Sequence, residues 1–85
     1  MSATLLKTLQ QQLDTTHEQY NLHFAGQMRT TRSTHMMGLM IEAAQTIERD
    51  TARIEANGDA KVRQELLSLC GERLELYRNE LKAIE

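Results

Sequence analysis

The chain has 85 residues, no proline, and a net charge of −2 from 10 basic and 12 acidic side chains. That size allows one domain with a thin core, and the charge lacks the Lys and Arg excess with which a general nucleic-acid binder displaces counterions. Twelve leucines and eight alanines stand against one valine, four isoleucines and three aromatic residues; this is too little β-branched and aromatic material for a sheet, so the expected class is all-α.

The first helix is expected from about Ala3 to about Phe24, with Ser2 as its N-cap. Leu6, Leu9, Leu13, Thr16, Tyr20 and Phe24 follow one another at steps of three and four, which places them in one stripe. The stripe weakens where Thr16 and His17 take core-side positions. Gln and Thr interrupt Leu5, Leu6, Leu9 and Leu13, so no signal-peptide core is expected here.

Residues 25–33 form the expected connector. Gly26 costs about 1 kcal/mol relative to Ala inside a helix, and Thr30, Thr31, Ser33 and Thr34 can cap a helix or bond back to the chain in a turn. A break near Gly26 is expected, with one kinked helix through it as the alternative.

The second helix is expected over residues 34–56. Met37, Met40, Ala44, Ile47, Thr51 and Ile54 keep steps of three and four throughout. Asn57-Gly58-Asp59 then supplies a left-handed stop and an N-cap for a third helix over residues 60–82. Two helices of about 24 residues, each roughly 36 Å long, joined by so short a turn, must lie antiparallel.

The third helix carries a wide apolar arc. Val62, Leu66, Leu69, Cys70, Leu76, Tyr77 and neighbouring leucines cover about half its circumference. One neighbour needs only the narrow seam of a coiled coil, so this arc needs two. The first helix can be the second neighbour; a second copy of the chain is the other candidate. Because long hairpins with one core layer are marginal alone, the expected form is a homodimer that completes the bundle by self-association. Leu22 and Leu39 lie off the main stripes and are its candidate contacts. Gly38 and Gly71, isolated within helices, are expected to permit close helix approach.

Three clusters bear on chemistry. From Gln19 to Ile41 there is no acidic residue, while Arg29, Arg32, His23 and His35 fall inside. With nearby hydroxyls and a helix N-terminus, Arg29 and Arg32 could hold an anion or phosphoryl group. The competing expectation is a solvated connector whose arginines pair with surface carboxylates. Met28, Met36, Met37 and Met40 beside His35 have the donor types of a Cu(I) site, but Met37 and Met40 belong to the core stripe, so packing is the expected role. Asp14 and His17, one turn apart, could share a metal only with further inward carboxylates. The second helix does not supply them, since Glu42 and Arg49 point outward, whereas Arg73 and Glu80 lie near the apolar half of the third.

No zinc spacing, phosphate loop or nucleophile elbow occurs. Cys70 sits in the apolar arc, where burial raises a thiol pKa, and a lone cysteine fits a reducing cytoplasm. The apolar run from Met36 to Ile41 is too short to cross a bilayer. The expected protein is therefore a non-enzymatic cytoplasmic interaction module, an adaptor, assembly subunit or chaperone-like partner, without cofactor, metal or membrane. Its expected partners are a second copy and another protein, nucleic acid being disfavoured. Leu22, Leu39, Met36 and His35 are the candidate contact residues. An anion- or phosphoryl-ligand-binding regulator using Arg29 and Arg32 is the alternative.

Overall fold

In the computed structural model, three helices pack side by side; residues 2–25, 34–55 and 58–84 are described. Helix α1 spans Ser2–Tyr20 and continues as a π-helical turn over Asn21–Ala25; α2 spans Thr34–Arg53, and α3 spans Ala60–Ile84. α2 ends three residues before its expected stop, and α3 runs two residues past its own. Whether α1 and α2 are continuous through Gly26 lies outside the described residues.

The α2–α3 turn uses the expected chemistry. Gly58 takes the left-handed conformation, φ +89°, which costs an L side chain energy. The Asp59 carbonyl accepts the first α3 bond from Arg63 N at 2.9 Å, as an N-cap carbonyl does. Arg63 also reaches back to α2, its Nη2 donating to the Ala52 carbonyl at 2.8 Å. A cation at a helix C-terminus satisfies an orphan carbonyl and meets the negative end of the dipole.

The core is one layer deep. Leu6, Leu13, Tyr20 and Phe24 enter from α1 and its π turn; Met37, Met40, Ala44 and Ile47 from α2; and Leu66, Cys70, Leu74 and Tyr77 from α3. Thr51 is fully buried in the α2 seam, its Oγ1 donating to the Ile47 carbonyl at 2.7 Å. That bond removes most of the cost of burying a hydroxyl.

α2 and α3 pack extensively, and α1 covers both, so it is the second neighbour of the wide α3 arc. The arc is not wholly used: Val62 stays 47% and Leu76 38% exposed. Gly38 and Gly71 do not serve close approach, because a Cβ at either would meet nothing within 4 Å.

The bundle is slender, 45 × 19 × 16 Å, with a radius of gyration of 13.8 Å, against about 12 Å for a compact domain of this length. Its 5703 Å² of accessible surface exceeds the roughly 5,200 Å² that scaling gives a monomer of this mass.

Candidate functional site

Two features stand out against this frame: a polar cluster between α1 and α3, and an open groove between α1 and α2. The cluster gathers the ring-bearing side chains. His17 stacks on Tyr20 at a centroid distance of 5.3 Å and on Tyr77 at 5.9 Å. Tyr20 also meets Tyr77 at 5.2 Å and Phe24 at 6.0 Å. The π turn places Phe24 beside Tyr20 at the end of this stack.

His17 Nδ1 lies 2.9 Å from the Tyr77 hydroxyl. Arg73, one turn before Tyr77, carries its guanidinium beside the same hydroxyl. A guanidinium can only donate, so the phenol oxygen accepts from Arg73. Burial, reinforced by Arg73 and only partly offset by Asp14, lowers its pKa. Burial raises the pKa of Tyr77, with Arg73 opposing and Tyr20 adding to the rise. This is a tie between helices, and His17 is engaged by aromatic rings and a phenol instead of a metal-sharing carboxylate.

Among the described residues, no three His, Cys, Asp or Glu side chains converge as a metal site would require. Cys70 is fully buried, and desolvation followed by the charge of Glu48 pushes its pKa up to about 11. At neutral pH it is a thiol, without the thiolate a nucleophile needs.

The groove runs along the outer side of the α1–α2 seam as three successive shallow hollows of about 270, 360 and 400 Å³. Thr16, Gln19, Met36 and Leu39 line one end; Gln12, Ala43 and Thr46 the middle; Leu5, Leu9 and Ile54 the other end. The charged residues of α1 (Lys7, Asp14 and Glu18) fall within an arc of about 40° on the opposite flank. The α1 wall is consequently Leu, Thr and Gln alone. On α2 the charges Glu42, Asp50 and Arg53 form the rim.

Of the expected contact residues, Leu39 stands 51% exposed on this groove and Met36 lines the same hollow half-buried. His35 is exposed at the start of α2. Leu22, 62% exposed on the π turn, does not line the hollows. Met37 and Met40 are buried in the core. Glu42 and Arg49 are exposed, and Arg73 and Glu80 half-buried, as their wheel positions imply. Arg29, Arg32 and Met28 lie outside the described residues.

Leu5, 56% exposed at the far end of the groove, is not among the residues expected from the sequence. The one-sided placement of the α1 charges was the signal that could have found it. Among the described residues no helix is long and apolar enough to cross a membrane. Comparison with protein-family models, curated proteins and solved structures gives no match.

Proposed function

We propose that this protein is a non-enzymatic interaction module that offers its α1–α2 groove to a helix of another polypeptide. The observation that carries the reading is the groove itself: a trough whose α1 wall is uncharged, bracketed by half-exposed Leu5 and Leu39. Small side chains at its centre, Ala43, Thr16 and Thr46, let a helix backbone approach, and the end leucines supply anchors in the manner of helix-in-groove recognition. The buried thiol of Cys70 suits a reducing, cytoplasmic setting for such a module.

A second apolar line, Val62, Leu69 and Leu76, runs along the α1–α3 edge, but Glu65 and Glu72 flank it on α3. It serves as the control surface. Protein recovered from the native cell with wild-type bait is compared with that recovered by Leu39→Glu and by Leu76→Glu baits, each first shown by circular dichroism to be folded. Partners lost with Leu39→Glu and kept with Leu76→Glu support the groove. Partners that ignore Leu39→Glu reject it.

A further inference from the structure

We infer that the occupant of the groove is a second copy of this chain, docked antiparallel across a two-fold axis that passes near Thr46. This rests on the reading of the groove as an interaction surface and names its partner.

The spacing along α2 sets the register. Leu39 lies seven residues before Thr46 and Arg53 seven after, two helical turns in each direction and thus on one side of the helix. When a second α2 is laid antiparallel with Thr46 against Thr46, each exposed Leu39 arrives opposite the partner's hollow of about 400 Å³ between Leu5, Leu9 and Ile54. A two-fold contact repeats this insertion, so both anchors are covered by one operation. The residues nearest the axis, Thr46 and Ala43, are small and uncharged.

The charges agree with this register. Glu42 lies four residues before Thr46, while Arg49 and Arg53 lie three and seven after it. All three are exposed on the outer rim of α2. In the antiparallel pair each Glu42 therefore falls between the Arg49 and Arg53 positions of the other copy. Asp50, four residues after Thr46, is turned about 80° from Glu42 on the helical wheel. It faces α1 and sits three residues from its own Arg53, so Glu42 meets the arginines first. A parallel pairing sets Glu42 against Glu42 and the arginines against one another, which charge repulsion disfavours.

Three measurements on the full chain test the inference. Sedimentation equilibrium at high micromolar concentration should give a dimer. Thr46→Cys, whose new thiol is exposed while Cys70 is buried, should join to its own counterpart through a short bismaleimide, and Leu76→Cys should not. Finally, Glu42→Arg alone and Arg49→Glu with Arg53→Glu should each weaken association about tenfold or more. Mixed together, the two variants should restore a one-to-one dimer, because every repelled contact becomes an attractive one. All five substituted positions, Glu42, Thr46, Arg49, Arg53 and Leu76, are exposed, and circular dichroism confirms that each variant is folded before it is weighed.

A monomer at every concentration overturns the second-copy inference yet leaves the groove reading to the Leu39→Glu purification. A dimer that joins through Leu76→Cys, or whose charge variants fail to recover on mixing, overturns the register and the groove as its site.

Discussion

The contact between His17 and Tyr77 offers a quantitative test of how α1 is held. Removing the hydroxyl with Tyr77→Phe deletes the 2.9 Å bond to His17 and the contact from Arg73, and leaves both half-buried side chains able to recover water. The cost should therefore stay near the ~1 kcal/mol typical of a net hydrogen bond. His17→Ala is the harsher change. It takes a hydrogen-bond partner from the phenol of Tyr77, which is 0% exposed, and removes two ring stacks, so about 2–3 kcal/mol is expected from the lost bond to a buried group and the lost aromatic contact. With an unfolding entropy of about 2.1 cal/mol/K per residue, an 85-residue domain loses roughly 5–6 °C of Tm per kcal/mol. Thermal melts followed by circular dichroism should thus fall by about 5 °C for Tyr77→Phe and by 10 °C or more for His17→Ala. Equal losses in the two variants, or none in either, would refute the role of this contact in holding α1.

The same cluster sets a pH dependence. The folded-state pKa of His17 lies below its unfolded value of about 6.5, so the unfolded chain binds the proton more tightly. The stability from neutral His17 is complete above the unfolded pKa and is lost as pH falls toward the folded one. Urea melts from pH 8 to 5.5 should show declining stability that His17→Gln flattens. Cys70, with its pKa raised to about 11, should exchange with a disulfide reagent at pH 8 only as fast as the domain unfolds. The glycines should separate by sign. Gly58→Ala should cost about 1 kcal/mol because of its positive φ. Gly38→Ala and Gly71→Ala, both in helix interiors with open space at Cβ, should each add about 0.5–1 kcal/mol. Melts of the three single variants decide this.

The α2 stripe was the most legible part of the sequence. Its buried residues Met37, Met40, Ala44, Ile47 and Thr51 are the ones the spacing selects, because a helix in contact with neighbours on one side has little freedom in which residues it buries. In α1 the same rule selects Leu6, Leu13, Tyr20 and Phe24 but leaves Leu9 and Thr16 half-buried, since they border the open groove. The π turn had no signature in residue type. His17 and Tyr77 are sixty residues apart; periodicity gives the face of each helix but not the register between helices, so their meeting was invisible. The groove was half legible: Leu39 is off-stripe by inspection, whereas the meeting of Leu5 with Ile54 emerges only once α1 is seen antiparallel to α2.

The slender shape also leads to a prediction that separates self-sufficiency from association. A core of one layer leaves an 85-residue domain with a stability on the order of 4–13 kcal/mol, and ordering α1 contributes through few residues, chiefly Leu6, Leu13 and Tyr20. If copies cover one another's grooves, folding and association share one equilibrium, and mass action makes Tm rise with protein concentration. For a dimer melting to two unfolded chains, each tenfold increase adds about 1.4 kcal/mol against an entropy of roughly 0.36 kcal/mol/K, or about 4 °C per decade. Leu13→Ala, which opens the core by removing a fully buried leucine at a cost of about 2–5 kcal/mol, should lower the whole series while keeping that slope. Leu39→Glu should do the reverse, abolishing the slope with little change in Tm at the lowest concentration. A wild-type Tm that is the same across three decades would mean that the three helices stand on their own and that the exposed leucines are not covered by a second copy.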